Sequence, residues 1–300
     1  MALPGSADVV SSAGPLSDRS GIEERSESDS PPAGRLTTRD LGRPIRVVVF
    51  GGAFLEPAAQ QFVALLDGHP EVELVGGFCQ SRGFDLWSRI ADVGRRRGLA
   101  APLVLGVYTA RAVLRCARRP RSQLILRQRV RKALTRFTAA PDIHSPAVLQ
   151  RVRALAPDLG LVYGAPILKP QLFEIPTFGT LGIHHGKLPE YRGKKTTFWA
   201  VLNGEVTAGV TIQLITAGLD RGHIVRAGEV PIAGKRYGRA AAEVQELGLR
   251  LYMDAVLAVK RGIATLQPQP HGASPLYRQP APQHYLRLWY RQATRLQAGR

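Results

Sequence analysis

The chain has 300 residues, 44% of them hydrophobic, and carries 41 Lys and Arg against 23 Asp and Glu for a formal charge of +18. That length suits one large domain or one domain with extensions, and the two cysteines, Cys79 and Cys116, form neither a disulfide framework nor a metal-ligand spacing. The cysteines fit a reducing cytoplasm, and no 18-residue apolar run offers an ordinary membrane-spanning helix. The basic surplus points either to an anionic partner or to an Arg-rich baseline.

Residues 1–43 are rich in Ser, Pro, Gly and charge and lack the basic-then-apolar layout of a signal peptide, so a disordered tail is expected. Residues 45–50 (IRVVVF) form a continuous apolar, β-branched run, the pattern of a strand buried on both faces. Gly51 and Gly52 turn the chain, Pro57 opens a helix through about Leu66, and residues 72–78 form the next strand. This β–α–β order implies a parallel sheet. The turn is not a full dinucleotide fingerprint, and no acid ends the second strand where a ribose would be held.

From about 85 to 136 the chain reads as a basic helical insertion. Between Arg95 and Arg136 the arginines and Lys132 meet no acid, and an apolar patch spans 99–114. Such a block either grips phosphates or an anionic membrane surface, or is a solvated insertion packing its apolar face on the domain. Ser145 precedes a helix over 146–155, residues 159–163 form a strand, 167–173 a short helix, and 180–183 the strand that delivers His184. Residues 209–215 alternate as a strand, 224–232 suggest an edge hairpin, and 239–260 form an amphipathic helix. Residues 263–300, rich in Pro, Tyr and Arg, read as an extended arm with a short basic helix.

The stretch 179–225 holds the chemistry. An imidazole just past one strand and the Asp220 carboxylate just past another, 36 positions apart in sequence, can meet at one sheet edge for acid–base work. The bland alternative is a satisfied core histidine and a turn carboxylate. No metal site is expected, because the adjacent His184 and His185 do not have the spacing of a helical ligand pair.

Ile183-His184, Leu188-Pro189, Tyr191-Arg192-Gly193, Gly209-Val210-Thr211-Ile212 and Leu219-Asp220-Arg221-Gly222, in that order, resemble the catalytic domain of the folate-dependent formyltransferases. The pattern is closest to the methionyl-tRNA and sugar N-formyltransferase branches. The resemblance covers about 45–257 and implies a Rossmann-like, mostly parallel α/β sheet with helices on both faces, in a catalytic domain over 44–262. It also implies 10-formyltetrahydrofolate as donor, His184 and Asp220 as catalytic pair, and a one-carbon transfer to an amine. Tyr163, Gly164, Ala165, Ile167, Gly186, Lys187, Leu188 and Pro189 would line the folate pocket. Tyr191, Arg192, Lys194 and Lys195 would meet the acceptor, a small amine such as an amino sugar, or methionyl-tRNA if the basic insertion replaces a C-terminal barrel that the chain is expected to lack. The family asparagine two residues before the histidine falls on Gly182, with His185 as a candidate substitute. The double histidine also resembles the branch that hydrolyses formyltetrahydrofolate. A third expectation is a folate- or nucleotide-binding protein that lost activity with the asparagine.

Overall fold

The computed structural model describes residues 36, 39–52, 57–80, 122–270 and 274–298. The expected tail up to residue 35 and the insertion up to residue 121 therefore lie outside the described residues. In chain order the elements are β1 (Ile45–Gly51), α1 (Pro57–Asp67), β2 (Val72–Gln80), α2 (Ser122–Leu134), β3 (Phe137–Ala140), α3 (Pro146–Ala154), β4 (Leu159–Tyr163) and α4 (Pro170–Phe173). Then follow β5 (Thr180–His184), β6 (Arg192–Gly193), α5 (Thr196–Asn203), β7 (Thr207–Leu214), β8 (Ile224–Pro231), α6 (Tyr237–Lys260), β9 (Leu276–Tyr277) and α7 (Pro282–Ala298).

Seven strands form one sheet in the order β3-β2-β1-β4-β5-β7-β8. The first five run parallel, and β7 and β8 complete the sheet antiparallel. β1 lies inside the sheet, between β2 and β4, as a strand apolar on both sides must. Val47 and Val49 point into a core shared with Phe62 of α1 and Tyr252 and Val256 of α6. Val48 and Phe50 point the other way, against Phe78, Val152 of α3 and Leu172 of α4. Period-two alternation thus feeds two helical layers from one strand.

Tyr252 is fully buried, and its hydroxyl is placed between β4 and β5. It accepts from the Val162 N–H at 2.8 Å and donates toward the Leu181 carbonyl at 2.8 Å, so one side chain satisfies groups on both strands. At the entrance to β4, the buried Asp158 carboxylate accepts both Arg43 guanidinium nitrogens, at 2.7 and 2.8 Å, and the Arg46 N–H at 2.8 Å. These bonds hold its pKa below the usual carboxylate range although burial pushes the other way.

One expectation changes. The short helix placed at 167–173 begins only at Pro170, since Lys169 before it is extended (φ −89°, ψ 153°), as a residue preceding proline prefers. In the C-terminal arm β9 pairs in parallel with β6, Ser274 and Gln269 hydrogen-bond to Arg192 and Gln213, and α7 packs on α5.

Candidate active site

β5 carries Gly182 and His184 on one face of the sheet and Ile183 on the other, toward α6. β7 lies antiparallel beside it, with His184 opposite Thr211 and Leu181 opposite Leu214. The chain therefore leaves β7 at the end of the sheet away from His184. The expectation that both residues sit just past their strands at one edge is corrected here: the loop between β7 and β8 folds back over the sheet face to bring Asp220 to the histidine. Asp220 takes a left-handed conformation (φ 53°), which an aspartate tolerates better than most residues.

His184 is buried, and both ring nitrogens have protein partners. Nε2 lies 2.6 Å from the Tyr191 carbonyl oxygen, which can only accept, so Nε2 carries a hydrogen. Nδ1 lies 3.5 Å from Asp220 Oδ1. Asp220 is held from two further sides: Oδ2 accepts the Gly193 N–H at 3.0 Å, and Oδ1 accepts the Gln213 amide at 3.2 Å.

Gln213 is buried on β7 and is the hub of a second layer. Its Oε1 accepts the Gly222 N–H at 3.2 Å and the Gln269 amide at 3.3 Å, while Gln269 also donates to the Gly222 carbonyl at 2.7 Å. Sequence reasoning missed it. The available signal was a buried strand with two polar side chains, Thr211 and Gln213, on one face. The arm acts through β6 as well. Lys194 N–H donates to the Tyr277 carbonyl at 2.8 Å, and the Tyr191 and Tyr277 rings stack at 4.9 Å. A Cβ at Gly193 would lie 2.2 Å from the Tyr277 oxygen, so only glycine lets the arm approach this closely.

Beside the pair opens a cleft of about 1050 Å³ counted to its open mouth. Gly164, Ala165, Ile167, Gly182, Lys194 and Asp220 line it, together with Ile215 and the loop 216–219, which the sequence reading did not single out. Other expected residues lie elsewhere. The Tyr163 ring packs between Phe62, Tyr252 and His185 on the α6 side. Gly186 and Lys187 border a small separate cavity with His185, and Lys187 pairs with Glu229 at 2.8 Å. Leu188 is buried, with Pro189 next to it half-buried. Tyr191 is buried and donates to Glu205 at 2.8 Å, and its burial raises its pKa above the usual phenol value. Arg192 donates to the Leu219 carbonyl at 2.7 Å, and burial lowers its pKa. Lys195 precedes α5 in a left-handed conformation (φ 55°).

Gly182 and His185 bear on the family asparagine. A Cβ at Gly182 would lie 2.5 Å from Ile215 Cδ1, so isoleucine occupies the space a side chain there would need. His185 points to the α6 face, near Gly248, with its Nε2 buried and unpartnered. Burial and the neighbouring His184 lower its pKa to about 4, so near neutral pH it holds no charge.

The profile of the family described as Formyl transferase matches residues 86–256. Methionyl-tRNA formyltransferases of Roseiflexus sp. (strain RS-1) and Chloroflexus aggregans are each 38% identical over 132 residues, 43% of this chain. The match spans only 40% and 42% of those relatives' own lengths. Among solved structures, glycinamide ribonucleotide transformylase 1 of Symbiobacterium toebii superposes with a TM-score of 0.52 at 18% identity, covering 76% of this chain and 96% of that one. A sugar N-formyltransferase of Shewanella sp. FDAARGOS_354 gives 0.51 at 14%, over 81% and 86%. These two are likenesses of fold.

Proposed function

Because the chain belongs to the formyl transferase family, we propose that it moves a formyl group from 10-formyltetrahydrofolate to a primary amine, with His184 and Asp220 as the catalytic pair. The observation that carries this reading is the approach of buried His184 Nδ1 to within 3.5 Å of Oδ1 of Asp220, a residue that itself lines the cleft. The cleft residues fit the donor. Val162, Ile167, Ile215 and Leu219 offer apolar walls for a pterin ring, and the main chain of 164–166 and 216–218 offers polar groups beside them. When bound, the donor supplies a formyl carbon open to attack by an amine.

Nδ1 of His184 lies 3.5 Å from Asp220 Oδ1, longer than a hydrogen bond of good geometry, so an N–H there would be available to the formyl oxygen as negative charge develops on it. Asp220 keeps the imidazole oriented and, through a water, accepts the proton the amine loses as its nitrogen bonds to the formyl carbon; that proton goes to the donor nitrogen as its bond to the formyl carbon breaks and tetrahydrofolate leaves. Gln213 and the Gly193 N–H hold the carboxylate in place. Lys194 at the cleft wall suits an acceptor that carries phosphate, such as an amino sugar on a nucleotide, with methionyl-tRNA as the larger alternative.

The test is incubation of the purified protein with 10-formyltetrahydrofolate, with and without candidate amines. Formylated product and tetrahydrofolate that form only when an amine is present support the transfer. Formate release independent of any amine would instead assign a hydrolase, and donor binding without turnover a binding protein.

A further inference from the structure

α7 lies on α5 by one face and leaves the other uncovered. Leu288 is buried against Phe198 and Leu202, the Tyr285 ring lies 4.7 Å from Phe198, and the Arg291 guanidinium donates to the Leu202 carbonyl. These contacts fix the helix and its rotation. On the outer side Leu286, Trp289 and Tyr290 are 68%, 69% and 65% exposed. Their i, i+3, i+4 spacing makes one stripe, with exposed Arg287 beside it. Scattered exposed apolar residues are ordinary, but three large ones in a contiguous stripe on an anchored helix mark a contact surface.

Charge selects the occupant. From Gly262 to Arg300 the sequence has no Asp, Glu or Lys, but does have Arg278, Arg287, Arg291, Arg295 and Arg300. A two-fold contact with a second copy would set arginine against arginine. Nucleic acid would reward a dense array of cations and gain little from a leucine that must leave water. A leucine flanked by Trp and Tyr, with arginines as the sole charges, matches the apolar-to-anionic gradient of a lipid headgroup layer. We propose that the outer face of α7 docks on an anionic lipid surface, inserting Leu286, Trp289 and Tyr290 shallowly while exposed Arg287 beside them meets the headgroups.

The full chain is sedimented with vesicles of phosphatidylcholine alone or with added phosphatidylglycerol, alongside the L286Q/W289S/Y290S variant. All three positions are exposed, so circular dichroism and melting of the variant should match those of the parent. The expected result is salt-sensitive binding to the anionic vesicles that falls at least about tenfold in the variant and is weak on neutral vesicles. Equal binding by parent and variant would overturn the proposal, by assigning the affinity to other basic segments. So would absence of vesicle binding. RNA binding without vesicle binding, or self-association, that depends on the three side chains would overturn it in favour of nucleic acid or a second copy.

Discussion

Filling the space at position 182 tests the relation between Gly182 and Ile215. Asn at 182 would place its Cβ 2.5 Å from Ile215 Cδ1, whereas ordinary contact begins near 3.4 Å. Ile215 must therefore move by roughly 1 Å or change rotamer, an overpacking that costs about 1–3 kcal/mol. For a domain of this size each kcal/mol lowers the melting temperature by about 2–4 °C. Truncating Ile215 to Ala removes the colliding atom, so Gly182→Asn should cost little in that background. The double-mutant cycle then gives a favourable coupling of about 1 kcal/mol or more, measured by urea unfolding of the four proteins. If the amide reaches the cleft as a second oxyanion donor, formyl transfer by the double variant should exceed that of Ile215→Ala by about 10²-fold. Shifts that add within about 0.5 kcal/mol would refute the idea that Ile215 fills the missing side chain's place.

Three further outcomes follow from particular contacts. Tyr252→Phe removes the partner of the Val162 N–H and the Leu181 carbonyl inside the sheet, and should cost about 1–3 kcal/mol in urea unfolding; a change within experimental scatter would contradict the bridging role. Gln213→Leu frees Asp220 Oδ1, and should lower kcat about tenfold while leaving donor KM nearly unchanged, whereas a rise in KM alone would show that Gln213 serves binding rather than positioning. His185 has a folded pKa of about 4, below its unfolded value near 6.5. The unfolded chain takes up a proton that the folded one refuses between those values, so stability falls as pH drops from about 6.5 to 4. His185→Phe should flatten that part of the stability–pH profile, and an unchanged slope would locate the effect elsewhere.

The sheet was legible because its central strands obey simple rules. The run 45–50 is apolar on both faces, the helices beside it bury one stripe each, and β–α–β order fixes parallel pairing. Family membership was legible too, from several short motifs in order rather than from any one of them. The resemblance also singled out Gly164, Ala165 and Ile167, which follow a strand end. Gln213 escaped notice because its partner Gln269 is 56 positions away, in a segment whose Pro-rich composition carries no period. Ile215 escaped because an isoleucine after a strand reads as core, and only the backbone geometry reveals that it fills the place left by Gly182. Likewise β9 is two residues long, and its pairing depends on the absent side chain of Gly193. Such contacts are set by tertiary geometry, which local pattern does not encode.

The most direct measurement is single-turnover formyl transfer by Asp220→Asn, with donor binding measured in parallel. The amide can still accept the Gly193 N–H, so the loop should keep its place, but it presents no negative charge to His184 and cannot take a proton from the amine. Transfer slowed by about 10²–10⁴-fold with donor affinity nearly intact is the predicted result. Transfer at the parent rate would contradict the assignment of chemistry to this pair.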